Sequence, residues 1–348
     1  MPKIIAPVSS VEGAMRVLDA GADELYCGVR LKGSKYLSYS GRPGSCCLPD
    51  YEDLRRVVEL AHAGGATVSL TANLPFMADA IKWFVRDFLK RCVGQGIDAL
   101  IVGDLGALLL VREMDIKLPI YASSFLVVRN EEAASLLKKL GVSRIIAPQD
   151  ATLDELSTLV EKCRPRGVEI EAFVHGENCS NVGGNCYLLH CQRPPREVYA
   201  PYDGCATAAI AGSCAHDTEE TLVSVSARIP CLFFFDAWEI DQDQRVHEVG
   251  RLPIIDAFRF CSLCRLPELV ATGVAGLKIV GRCQPVEFQV KTTSVYRELV
   301  SLIEQGRMDQ FHEEVNGLRE SSPALRTLCR EKRCYYSPLF ASPGRPEP

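Results

Sequence analysis

Four cysteines, Cys179, Cys186, Cys205 and Cys261, carry the most legible chemistry in this chain. Two of them follow a His-Gly turn in EIEAFVHGENCSNVGGNC, one closes YDGC, and one begins the CSLC of FRFCSLC. The surrounding Gly, Asn, Ser and Pro belong to loops rather than cores. Thiolates at this density bind a soft metal or form disulfides. The chain has 16 cysteines in 348 residues. Its opening, MPKIIAPVSSVEGAMRV, lacks the charged region, apolar stretch and cleavage site of a secretory signal. A cytoplasmic location and reduced thiols are therefore expected, which favours metal binding over a disulfide framework. Isolated Cys27, Cys92 and Cys163 read as small buried hydrophobes.

Zinc sites commonly use two close CxxC pairs. Here only Cys261 and Cys264 are so spaced, Cys179 and Cys186 are separated by seven positions, and the other thiols are distant in sequence. Ligands distributed over several loops favour an iron–sulfur cluster, with zinc as the alternative.

The elements that must position these thiols alternate strand and helix. Short apolar strands are expected at 3–8, 24–29, 67–73, 99–103, 119–123, 144–148 and 169–176, with amphipathic segments between them. In the segment 50–65, Asp50 reads as an N-cap, Leu54, Val57, Val58 and His62 as one face, and Gly64 and Gly65 as the stop. Regular alternation implies a parallel sheet, and its uniformity implies a closed TIM-like (β/α) barrel. No GxGxxG follows the first strand, so a dinucleotide-binding fold lacks its fingerprint. After 176 the rhythm breaks into a cysteine-rich insertion holding Cys191 and Cys214 as well. Segments 221–229, 256–260 and 276–281 look like returning strands, followed by a helix over 286–306. The division expected is a barrel over 1–290 that includes the cluster-binding segment 177–265, C-terminal helices over 291–336, and a disordered Pro-rich tail over 337–348.

Barrel chemistry lies at the carboxyl ends of the strands. Those ends supply Asn73, Asp104, Ser123, Asp150 and His175, with Lys278 and Arg282 on the last strand. Cys46 and Cys47 lie in a long loop that can reach the same mouth. Asp104 and Asp150 serve equally well as helix caps. A histidine followed by glycine at a strand end, entering a cysteine loop, reads as functional.

Several segments resemble the peptidase U32 family, the collagenase-like group. They are VGDLGALLLVRE, YASSFLVVRN ending in Asn130, EIEAFVHGENCSNVGGNC with Glu171, His175, Gly176, Cys179 and Cys186, and FCSLCRLPELVATGVAGLKIVGR. In the last, Cys261 stands six residues before the Pro of a Pro-Glu-Leu helix. The resemblance spans about residues 3 to 300. It implies a β/α barrel with four cysteines on a 4Fe-4S cluster. It also implies oxygen-independent hydroxylation, of ubiquinone precursors in one branch and of tRNA or ribosomal RNA in others. Prephenate is the implied oxygen donor, and other members carry a collagenase-like, metal-dependent protease activity. Neither HExxH nor GxSxG is present to support a familiar protease mechanism.

Two departures matter. Val280 stands where the family has Glu, and YDGCATAAIAGSCAH replaces the segment carrying the third cysteine. Cys205 is taken as that ligand, with Cys214 second. In the resulting picture His175 and Asn73 bind or polarise substrate, Arg282 clamps a donor carboxylate, and Asp104, Ser123, Glu171 and Lys278 line the substrate site. The formal charge of −5 and the absence of basic runs disfavour a wide nucleic-acid face. Together with length they place the substrate among small molecules such as a quinone precursor, with tRNA second. A metal-dependent peptidase and a non-catalytic subunit joined to a homologous partner chain are the alternatives. No apolar run is long enough to span a bilayer.

Overall fold

The computed structural model describes residues 1–30, 46–74, 77–176, 234–240, 244–253, 260–330 and 334–336. Seven strands alternate with helices in the first half: β1 Lys3–Pro7, β2 Glu24–Cys27, β3 Thr67–Ala72, β4 Ala99–Val102, β5 Ile120–Ala122, β6 Val142–Ile146 and β7 Glu169–His175. A hairpin, β8 Phe234–Ile240 with β9 Val246–Pro253, pairs antiparallel outside the barrel. Strand β10 Gly276–Ile279 then inserts between β1 and β7 and closes an eight-stranded parallel barrel in the order β1-β10-β7-β6-β5-β4-β3-β2. The expected (β/α) barrel is thus present. The hairpin was not foreseen in the sequence, and the expected strand at 221–229 lies outside the described residues.

Most helices of the first half begin where a side chain supplies a cap. They are α1 Val11–Asp19, α2 Tyr51–Ala63, α3 Lys82–Val93, α4 Leu105–Glu113, α5 Glu131–Lys139 and α6 Leu153–Cys163, followed by α7 Leu266–Ala271, α8 Val286–Glu304, α9 Met308–Ser321 and α10 Pro323–Arg330. Asp50 accepts from the Asp53 N–H at 2.9 Å and starts α2, as its position before an apolar stripe requires. Thr152 and Glu155 form a reciprocal capping box at α6. On α2 the buried face is Leu54, Val57, Val58 and Ala61. His62 instead turns outward and contacts Asp98 at 3.0 Å. Cys27, Cys92 and Cys163 are buried. Desolvation pushes the Cys27 thiol up to about 12 and raises Cys92 as well, so both behave as inert core groups.

Parallel barrels are ordinarily filled by branched apolar side chains. This one carries buried charge. Arg144 of β6 reaches Glu24 of β2 at 2.9 Å and Glu171 of β7 at 3.3 Å, and Lys278 of β10 reaches Glu171 at 2.7 Å. The Ser69 hydroxyl donates to the other Glu24 oxygen. Arg144 also lies over the Tyr121 ring and Lys278 over the Tyr26 ring. Burial alone would lower the Arg144 pKa, but Glu171 and Glu24 reverse this and hold it raised. Each charge has a partner, the condition under which such burial is tolerated.

Candidate functional site

Five strand ends, those of β2, β3, β4, β5 and β10, converge at the carboxyl mouth. Thr71 lies near the end of β3, its hydroxyl donating to the Cys27 carbonyl at 2.8 Å. That leaves an oxygen lone pair for Arg282, whose Nη1 donates to Thr71 Oγ1 at 2.7 Å. The Arg282 guanidinium is buried and lies 5.7 Å from the Tyr26 ring centre. Asn73 follows two residues after Thr71, and its amide nitrogen donates to Ser123 Oγ at 3.3 Å. Its Oδ1 is buried and has no hydrogen-bond partner. Such an oxygen is uncommon in a native structure and marks a place where a ligand donor fits. Beside it, a Cβ on Gly103 would stand 2.6 Å from the Asn73 carbonyl oxygen, so glycine is what lets the ends of β3 and β4 approach.

The sequence-predicted residues do not all share this mouth. Arg282, Asn73 and Ser123 do. Asp104 caps α4, accepting from Ala107 N at 2.8 Å, which is its helix-cap reading. Asp150 pairs with Arg129 at 2.5 Å. Glu171 and Lys278 are paired inside the barrel, in the Arg144 network, because both stand within their strands rather than beyond them. His175 is fully buried, with Nδ1 3.3 Å from the Tyr296 hydroxyl and its ring against Phe260 and Phe288. Its described partners therefore include the face of α8. Gly176 has φ +95°, and a Cβ there would meet the Val280 carbonyl oxygen at 2.4 Å, so the His-Gly turn requires glycine. Thr71 and Tyr26 were missed in the sequence. The signal for Thr71 was its position two residues before Asn73 on one strand, since alternate residues share a face.

Cys179, Cys186, Cys205 and Cys214 lie outside the described residues. Cys261 lies within them, buried beside the end of β7, where it bridges His175. Its thiol has company. The Cys334 thiol interacts with those of Cys329 of α10 and Cys261, with Cys264 close by. The contact with Cys261 pushes the Cys334 thiol up, the contact with Cys329 opposes this, burial adds to it, and the net is about 12. The Cys329 thiol is raised, by Cys334 first and then by burial, and Arg319 opposes this only in part. Among the described residues no three His, Cys, Asp or Glu side chains gather as a complete ion-binding set. A sulfur pair at Cys261 nonetheless has the donor chemistry of a soft metal. One cysteine pair departs from the expectation of reduced thiols. Cys46 and Cys283 form a disulfide across the mouth, joining the loop before α2 to the turn after β10. This also places Cys46 where the sequence allowed it to reach.

The sequence signature described as peptidase family U32 matches residues 9–331. The chain is 24% identical over 329 residues to tRNA hydroxylation protein P of Escherichia coli, covering 86% of this chain and 68% of that one. It is 24% identical over 328 residues to an uncharacterized protease, MJ0090, of Methanocaldococcus jannaschii, covering 90% and 70%. It is 22% identical to tRNA hydroxylation protein P2 of Bacillus subtilis over 340 residues, 95% of both chains. No described helix is long and apolar enough to cross a membrane.

Proposed function

The chain belongs to peptidase family U32, and from that premise we propose that it catalyses an oxygen-independent hydroxylation, with a tRNA nucleoside as the first substrate class to test. Relatives named for hydroxylation and for proteolysis support an enzyme. A relative of matching length named for tRNA hydroxylation removes the length argument for a small-molecule substrate. The observation that carries the reading is the mouth group: a buried arginine bonded to Thr71 and, two residues further along, a buried amide oxygen with no hydrogen-bond partner.

Within that group Arg282 orients a carboxylate, because its planar fork engages two oxygens at once. Thr71, held by the Cys27 carbonyl, fixes the fork's direction. Asn73 Oδ1 accepts a hydrogen bond from an N–H or O–H of the substrate, and Ser123 holds the amide in that orientation. A carboxylate-bearing oxygen donor such as prephenate meets the first requirement and a nucleobase the second. Cys261, with Cys179, Cys186 and Cys205 as companion ligands, would hold a 4Fe-4S cluster. Bound there, it would supply single-electron chemistry near the mouth. A metal-dependent peptidase is supported by the printed name of a relative and by no observation at the mouth.

The test is tRNA from cells lacking the gene, digested and examined by mass spectrometry, with the wild-type gene restored in parallel. A hydroxylated nucleoside that disappears and returns supports the reading. Unchanged tRNA overturns it, and a hydroxylated quinone precursor that disappears instead redirects it to the small-molecule class. Activity appearing only with a homologous chain added would favour the non-catalytic subunit.

A further inference from the structure

Two hydrogen-bonding groups stand side by side at the mouth with capacity unused. Asn73 follows β3 and Ser123 follows β5. Gly103, at the end of β4 between those strands, brings no side chain to separate them. Ser123 is buried. Its hydroxyl oxygen accepts from Asn73 Nδ2 at 3.3 Å and from the Phe125 N–H at 3.4 Å, where it caps the turn Ser124–Leu126. A serine hydroxyl has two lone pairs and one proton. Both lone pairs are used, and among the described residues the proton has no acceptor. The Asn73 amide commits its nitrogen to Ser123 and keeps an oxygen with no partner. One unused donor therefore lies next to one unused acceptor.

Folding does not require this. Capping the turn takes a lone pair of Ser123 and leaves the proton idle. Both of its bonds are longer than the usual value of about 2.9–3.0 Å. Hydrogen bonds of a binding group are commonly long before the substrate is seated and tighten with it. At the end of the turn Val127 holds a left-handed backbone, φ 49°, which a β-branched residue adopts only where its surroundings fix it. Such strain gathers at binding sites. A ligand that satisfies both groups presents an N–H beside an acceptor on one edge. A nucleobase does so, because its ring holds the two cis: N3–H beside a carbonyl in uracil, an amino N–H beside N3 in cytosine. A peptide group holds its N–H and C=O trans, on opposite edges. A phenolic ring has no N–H to offer.

We infer that Ser123 and Asn73 together read the donor–acceptor edge of a nucleobase, the Ser123 hydroxyl donating to the base's acceptor and Asn73 Oδ1 accepting its N–H. The inference rests on the nucleoside reading above and names the part of the nucleoside that the mouth recognises. It gives Ser123 a contact with substrate in addition to its hold on the Asn73 amide.

Equilibrium dialysis of the full chain, purified anaerobically, provides the test. The probes are uridine, cytidine, guanosine and adenosine, each beside a form methylated so that the edge N–H is lost: 3-methyluridine, N4,N4-dimethylcytidine, 1-methylguanosine and N6,N6-dimethyladenosine. At least one natural nucleoside should bind, and its methylated form should bind tenfold or more weakly, on the order of one lost hydrogen bond with its partner left buried. In Asn73→Ala that gap should close, because the acceptor is gone. Ser123→Ala should weaken the natural nucleoside by about tenfold, and Ser123→Thr, which keeps the hydroxyl, should restore most of the binding. No binding by any natural nucleoside, equal binding of the methylated form, or a gap that persists in Asn73→Ala overturns the inference. Wild-type affinity in Ser123→Ala overturns the role of the hydroxyl. Should the Ser123 variants fail to melt cooperatively, the methylated probes on the unmutated chain still decide. The tRNA digests described above separate the two readings. A hydroxylated nucleoside that depends on the gene, with no discrimination between natural and methylated probes, overturns this inference alone. Selective nucleoside binding with unchanged tRNA overturns the reaction and leaves the base-reading pair standing.

Discussion

Arg282 and Asn73 make opposite demands on stability, and this separates a binding role from a structural one. Arg282→Lys keeps the charge but loses the planar fork. It should lower hydroxylation tenfold or more, on the order of one charge-assisted hydrogen bond, while the melting temperature stays within a few degrees. A loss of activity that merely tracks a loss of melting temperature would show that the residue only ties β10 to β3. Asn73→Ala removes a buried oxygen that has no partner, along with one 3.3 Å bond to Ser123. Its stability should change by no more than about 1 kcal/mol, because deleting an unsatisfied group recovers its desolvation cost. Its activity should nonetheless fall, and parallel chemical denaturation and tRNA digestion decide the point. Arg282, Asn73 and Ser123 were legible in the sequence because strand ends point to a barrel's mouth. A strand end offers two faces, and spacing alone did not say that the His175 ring meets the face of α8.

At the scale of elements, the His-Gly turn and the close approach of β3 to β4 depend on single glycines. Gly176→Ala meets both a left-handed backbone and a 2.4 Å clash with the Val280 carbonyl. It should cost about 2–4 kcal/mol in denaturant unfolding. A cost under 1 kcal/mol would mean that the end of β7 can shift, and the hydrogen bond from the Tyr335 hydroxyl to the Gly176 carbonyl would then lose its rigidity. Strand and helix positions were readable throughout the first half because apolar runs and caps recur there at short intervals. Asp50, Gly64 and Thr152 illustrate this, each acting within one turn of its own residue. The hairpin of β8 and β9 and the return of Cys334 were not readable. Both depend on contacts between residues far apart in sequence, and neither leaves a periodic trace. The CSLC pair was legible as chemistry, but the neighbouring thiols Cys329 and Cys334, 65 to 73 positions downstream, were not.

The whole molecule is built around a charged barrel interior. Arg144→Met leaves Glu24 and Glu171 enclosed with one cation fewer, which should lower stability by about 3–5 kcal/mol in urea unfolding. Lys278 remains to hold Glu171, so the larger share of the loss falls on Glu24. Unfolding at the wild-type midpoint would show that water or rearrangement compensates the pair. The barrel's closure has a consequence for the chain's synthesis. Strand β1 pairs with β2 on one side and on the other only with β10, some 270 residues later. As the polypeptide leaves the ribosome, one side of its first strand has no native partner until almost the whole barrel has emerged. Unpaired edges recruit other chains. A protein stopped short of Gly276 should therefore be a client of chaperones that shield nascent edges, and translation past β10 is the event that releases it.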